Sequence, residues 1–138
     1  MNALTRDLKK LTEEKERCAG GNDRYRQKIH LMPPVGWLND PNGLCQFQGV
    51  FHSFFQYSPF NPEGGVKMWG HCTSSDMIRW EYRGVTLYPD QPFDCSGVYS
   101  GCALIEDGEM HLFYTGNVKL EDRDDYDYVN SGREANTV

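Results

Sequence analysis

Gly49-Val50-Phe51-His52-Ser53-Phe54-Phe55 returns in altered form as Gly108-Glu109-Met110-His111-Leu112-Phe113-Tyr114. Glycine, histidine and phenylalanine recur at one offset (108 − 49 = 59). Each copy is an aromatic and aliphatic run behind a glycine, which reads as a strand leaving a turn. Asn42-Gly43-Leu44 has a looser counterpart in Ser100-Gly101-Cys102. A repeat holding about four short strands has the size of one β-propeller blade, about 40–50 residues plus loops. The chain therefore reads as all-β, with one full blade and part of a second. Propellers close with about four to eight blades, so the expected fold is a piece of a larger one. Its open strand edges invite self-association.

Strands are expected at Leu44 to Phe47, Phe51 to Tyr57, Gly70 to Ser74, Glu81 to Leu87, Gly101 to Ile105 and Met110 to Thr115. Asp40-Pro41-Asn42-Gly43, Tyr88-Pro89-Asp90 and Glu106-Asp107-Gly108 punctuate them as turns. Before them, Leu4, Leu8 and Leu11 recur at helical spacing. A short helix over Leu4 to Arg17 follows, with Thr5 as its cap and Cys18-Ala19-Gly20-Gly21-Asn22 as its end. Residues 1–28 are then a helix and lead-in, and 29–138 a partial propeller.

Composition narrows the function. The net charge of −6 argues against a phosphate-backbone binder, because nucleic-acid domains carry a basic excess. No apolar run reaches the roughly 18 residues of a membrane span. Met1 to Arg17 is charged throughout and lacks the apolar core of a secretory leader. Cys18, Cys45, Cys72, Cys95 and Cys102 are odd in number and contain no C-x-x-C pair. Free thiols and a cytoplasmic setting are expected, each cysteine serving as a small buried hydrophobe. His71-Cys72 has no partner pair at ligand spacing, so neither a metal nor a cofactor is expected. The aspartates at 122, 124, 125 and 127 fail the calcium-loop template, which needs glycine where Asp127 stands. Lys119 to Glu134 reads as a solvated loop.

Four segments can carry chemistry. Asp40-Pro41-Asn42-Gly43 alone suits a tight reversal. With Trp37 and Asn39 beside it, the segment also suits a sugar subsite, where an aromatic face covers the ring and polar groups read its hydroxyls. Gln56 follows an aromatic strand and either satisfies backbone groups or points into a pocket. In Met68 to Trp80, Trp80 reads as core, while His71 either lines a cleft or is a satisfied structural group. Phe93 to Gly101 offers Asp94 as a second carboxylate or as a solvated loop residue. No G-x-S-x-G, Walker A or G-x-G-x-x-G motif is present, so nucleophilic chemistry falls to a carboxylate.

Trp37-Leu38-Asn39-Asp40-Pro41-Asn42-Gly43 closely resembles the signature of glycoside hydrolase family 32, the β-fructosidases. Phe55-Gln56-Tyr57-Ser58-Pro59, Trp69-Gly70-His71, Ser75-Asp76 through Trp80, Ser96 to Gly101 and Phe113 to Asn117 match further family motifs in the same order. The resemblance implies a five-bladed propeller, of which this chain holds about one and a half to two blades. It implies a retaining hydrolase of β-fructofuranosyl bonds, in sucrose or sucrose 6-phosphate, with Asp40 as nucleophile. Trp37, Leu38, Asn39, Gln56, Tyr99 and Ser100 match positions lining the fructosyl subsite. The partner is a small carbohydrate, with neither nucleic acid nor membrane. The leading helix looks most like that of bacterial sucrose-6-phosphate hydrolases.

Three departures matter. The family's Arg-Asp-Pro motif, with its transition-state stabiliser, and its acid/base Glu after a Cys do not occur here. Gly64 also stands where many members carry a subsite Trp. The chain thus carries the nucleophile without its acid and is expected to be inactive alone. A non-catalytic sugar-binding fragment, or a furanosidase acting on inulin, levan or arabinan, are the alternative readings.

Overall fold

The two echoed glycines close two hairpins of one geometry. In a computed structural model, which describes all residues except 1, 22–23, 28 and 128–131, Gln48 and Gly49 have φ of 49° and 80°. Asp107 and Gly108 have φ of 51° and 80°. Both pairs sit between closing partners, Phe47 with Val50 and Glu106 with Glu109. Left-handed φ at both central residues gives the two-residue turn that matches strand twist.

The first hairpin joins β1 (Trp37–Phe47) to β2 (Val50–Ser58). β3 (Met68–Ser74) and β4 (Glu81–Leu87) extend it into an antiparallel sheet in sequence order. The second joins β5 (Gly97–Glu106) to β6 (Glu109–Lys119), and β7 (Arg133–Thr137) adds an edge. The end of β6 and the start of β7 fall inside the stretch from Lys119 to Glu134 expected to be loop. Arg133-Glu134-Ala135-Asn136-Thr137 has no apolar alternation, so pattern could not reveal a strand held by its ladder to β6. Residues 120–127 are mostly exposed turn, and the remainder of that expected loop, 128–131, lies outside the described residues.

Period-two alternation along β2 feeds two cores. Phe54 points toward β5 and β6 and packs with Trp69 and Val98. Phe55 and Tyr57 point the other way and pack with Met68 and Cys72, with Trp80 against that cluster as expected. Gly70 explains its place in Trp69-Gly70-His71: a Cβ there would lie 2.5 Å from the Phe55 ring.

The helix is real but differently mounted. α1 (Ala3–Ala19) is capped by Asn2, not Thr5: the Asn2 side chain accepts from the Thr5 N–H at 2.8 Å. Leu4 and Leu11 are 51% and 53% exposed, while Thr5 and Thr12 are buried. The leucine stripe is therefore not the docking face. Thr5, Thr12 and Glu16 share one stripe of the helix. Glu16 Oε1 accepts from the hydroxyls of Tyr57 at 3.1 Å and Tyr82 at 2.7 Å. Burial, reinforced by the Glu16 carboxylate, pushes both phenols far above their ordinary pKa. Polar tethers thus override the apolar periodicity. The expected helix end reaches Asn22, and the expected boundary falls at Lys28, both outside the described residues.

The cysteines also differ from expectation. Cys72 is buried and Cys45 half-buried, but Cys18, Cys95 and Cys102 are exposed. Cys102 lies on a face of β5 where Leu104 and the paired strand's Phe113 are exposed too.

Candidate active site

Asp40-Pro41-Asn42-Gly43 does not reverse the chain. It lies inside β1, with register breaks between Asn39 and Pro41 and between Asn42 and Cys45. Pro41 has no N–H to give the ladder, and a strand that accepts it does so at a bulge. Asp40 is the residue left without a partner on β2, and its φ of 35° is left-handed. Aspartate tolerates that conformation better than most side chains. The turn chemistry read in the sequence is present, but it kinks a strand rather than ending it.

β5 carries the matching irregularity. Its register breaks between Tyr99 and Gly101, which leaves Ser100 as the extra residue. Bulges re-aim side chains, and these two aim at each other: Ser100 Oγ donates to Asp40 Oδ2 at 2.8 Å. The contact ends a chain of aligned donors. Trp37 Nε1 donates to Asn39 Oδ1 at 2.8 Å, and Asn39 Nδ2 donates to Gln56 Oε1 at 2.7 Å. Gln56 Nε2 then donates to Ser100 Oγ at 3.0 Å. Every dipole points toward the carboxylate, so each bond polarises the next. Gln56 is 3% exposed, whereas Asp40 and Ser100 are open to solvent. An exposed carboxylate at the end of a buried, fully directed amide chain is oriented without being sealed off.

Five of the seven residues singled out as a site thus form one chain. Leu38 packs instead on the Phe55 and Tyr57 cluster. Tyr99 lies beside the chain, and its carbonyl accepts the Trp69 indole N–H at 3.1 Å. Asp94 is fully buried rather than solvated. It accepts from the Tyr114 hydroxyl at 2.7 Å and the Gln91 N–H at 2.8 Å. Burial first, then this carboxylate, raises the Tyr114 phenol's pKa. His71 is a structural group: its Nε2 lies 3.0 Å from His52 Nδ1, and its ring stacks on Phe54 at 4.3 Å. Asp76 fastens the β3–β4 loop by accepting the Arg79 and Ile78 N–H groups, which pull its pKa down to about 2.

Two residues of the neighbourhood escaped sequence reading. Asn42 is buried, donates to the Asp40 carbonyl at 2.8 Å and accepts from the Gly101 N–H at 3.2 Å. It ties the two bulged strands together, and its signal was the echo between Asn42-Gly43-Leu44 and Ser100-Gly101-Cys102. Lys67 places its ammonium over the Trp37 ring, 5.5 Å from the centroid. No group of three or more His, Cys, Asp or Glu side chains among the described residues converges as a metal site.

The family model for the glycosyl hydrolases family 32 N-terminal domain matches residues 30–136. The chain belongs to glycoside hydrolase family 32. Among its family 32 relatives, it is 46% identical to a sucrose-6-phosphate hydrolase of Bacillus subtilis, over 79% of this chain and 23% of the relative. It is also 46% identical to a raffinose invertase of Escherichia coli, over 80% of this chain and 23% of the relative. A family 32 β-fructofuranosidase of Bombyx mori superposes with a TM-score of 0.80 and 32% identity, covering 96% of this chain and 26% of that one. A variant of the Bombyx mori enzyme was solved in complex with sucrose. This family 32 chain therefore spans about a quarter of the length of the relatives it matches.

Proposed function

We propose that these residues supply the nucleophile and part of the sugar subsite of a β-fructofuranosidase. The observation that carries this reading is the directed chain from Trp37 to Asp40. In the proposed reaction an Asp40 carboxylate oxygen attacks the anomeric carbon of a terminal β-fructofuranosyl unit. The bond to the leaving sugar breaks as an acid protonates its oxygen. Water then attacks the fructosyl ester, and fructose leaves with configuration retained. Such chemistry needs the acid roughly 5–5.5 Å from the nucleophile. The chain of donors contains one carboxylate, so the acid comes from outside it. In this reading β1 to β4 are one propeller blade and β5 to β7 three strands of the next. The bonds of Ser100 to Asp40 and of Gly101 to Asn42 support β1 and β5 as the innermost strands. A cytoplasmic setting fits this reading.

The test is a chimera in which this chain replaces the matching quarter of the Bacillus subtilis relative. Hydrolysis of its fructoside substrate is expected, and Asp40→Asn is expected to lower turnover by about 10⁴-fold or more. The 138-residue chain alone is expected to release no fructose from sucrose. An Asp40→Asn chimera within tenfold of the parent, or robust hydrolysis by the isolated chain, would overturn the proposal.

A further inference from the structure

Lys67 stands just before β3, and its carbonyl accepts the Val98 N–H at 2.8 Å. Its backbone is thereby fixed to β5, the strand that carries Ser100. Its side chain runs toward Gly64, where a Cβ would lie 3.2 Å from Nζ. The missing side chain at 64 leaves that space to the ammonium. From there Nζ sits over Trp37, the first member of the chain that ends at Asp40. Among the described residues Lys67 makes no ion pair, whereas Lys119 pairs with Glu121 at 3.9 Å. Burial lowers the Lys67 pKa, Lys119 lowers it further, and Asp40 opposes the shift. Lys67 is thus a half-buried cation over Trp37 that feels both the Asp40 carboxylate and a second cation.

A neutral fructoside gives such a cation little to bind. Relatives of this chain are named for a phosphorylated and for an uncharged sugar, so the two must be told apart somewhere. We propose that Lys67 is the specificity-determining residue that selects sugar phosphate monoesters at this site. The inference rests on the fructoside reading above and adds the substrate's charge. A phosphate monoester carries nearly two negative charges at neutral pH, and a lysine ammonium binds it as a point charge. The Trp37 face and the Gly64 gap hold that charge beside the first member of the chain that ends at Asp40.

The test uses the ¹⁵N-labelled 138-residue chain, read at the Trp37 indole N–H by NMR at low salt. It is titrated with fructose, fructose 6-phosphate, glucose and glucose 6-phosphate, with inorganic phosphate as a further probe. At least one phosphate ester is expected to bind about tenfold tighter than its parent sugar, one charge-assisted contact's worth. The fructose and glucose arms tell which ring bears the phosphate. Lys67→Met is expected to erase the preference while leaving the response to the neutral sugar, and Lys67→Arg to keep most of it. Equal binding of ester and sugar, or a preference that survives Lys67→Met, overturns the role of Lys67 and leaves the fructoside reading standing. An indole that responds to neither fructose nor fructose 6-phosphate overturns both.

Discussion

Ser100 and Asp40, 60 positions apart, are each the unpaired extra residue of a β-bulge, and a 2.8 Å hydrogen bond joins them. Two local defects in two sheets thus make one contact. Neither side chain would reach the other from a regular ladder, where alternation fixes its face. The serine sets the carboxylate's rotation about its own side-chain bonds. In the chimera, Ser100→Ala is expected to lower turnover by about 10–100-fold through lost positioning, while Ser100→Thr, which keeps the hydroxyl, stays near the parent. Steady-state kinetics on the pair checks this. An alanine variant as fast as the parent removes the serine from the mechanism.

Gln56 bonds at both ends, to Asn39 and to Ser100, and is buried between them. Gln56→Ala leaves an amide N–H and a hydroxyl without their partner. Each orphaned group costs about 1–3 kcal/mol if water cannot reach it. Ser100 is open to water, so the loss falls on the Asn39 amide, and a stability loss of that order is expected for the isolated chain, read as a lower urea midpoint at unchanged slope. An unchanged midpoint would show that water replaces the glutamine at no cost, and that the chain of donors is loosely held.

Gly70 is a packing residue. A methyl group there meets the Phe55 ring at 2.5 Å, and Phe55 is fully buried. Overpacking of this kind costs about 1–3 kcal/mol. Gly70→Ala is therefore expected to lower the thermal midpoint clearly. Gly84→Ala, where nothing lies within 4 Å of the added atom, tests the left-handed φ of 100° without any clash. Gly70 has no left-handed φ, so a Gly70→Ala variant that melts like the parent would show that the Phe55 ring gives way at no cost.

What the sequence made legible was whatever repeats or alternates. The echo of Gly49 with Gly108 marked two identical turns, and the aromatic alternation of β2 marked both cores. The residues alone offered Trp37, Asn39 and Asp40 as a sugar subsite and left Gln56 open; Gln56, Tyr99 and Ser100 were placed with them only by the resemblance to family 32 motifs. Bulges left no such trace. Asp40 and Gly43 look like a turn because the residue types that kink a strand are those that reverse one. The helix misled for a different reason. Leu4 and Leu11 set its periodicity, but two sheet hydroxyls aimed at Glu16 set its orientation, and no local pattern in the helix encodes its partner. Lys67 was invisible because its importance comes from the empty place at Gly64.

The thiols separate by reactivity. Cys72 is buried, and burial raises its pKa to about 11, so its reactive thiolate is scarce at neutral pH. Cys18, Cys95 and Cys102 are exposed. A chromogenic disulfide reagent at pH 8 is expected to modify these three quickly, Cys45 more slowly, and Cys72 only after unfolding. Peptide mapping identifies each product. Rapid modification of Cys72 in the native chain would mean that the core behind β2 opens readily.

The histidine pair gives the fold an acid limit. Burial comes first, then the charges of His52 and Arg83, in pulling His71 from 6.5 down to about 4. Burial also lowers His52. Between those values the unfolded chain binds a proton that the folded chain refuses, so stability rises with pH across this window and is lost as pH falls through it. The His71 contribution is at most about 3 kcal/mol. Urea midpoints measured from pH 7 to pH 4.5 are expected to fall more steeply for the parent than for His71→Gln, which keeps a polar group beside His52 but cannot charge. The carboxylates titrate equally in both proteins, so the difference between the curves isolates the histidine. Parallel curves would show that water enters the 3.0 Å contact between the rings and solvates the proton there.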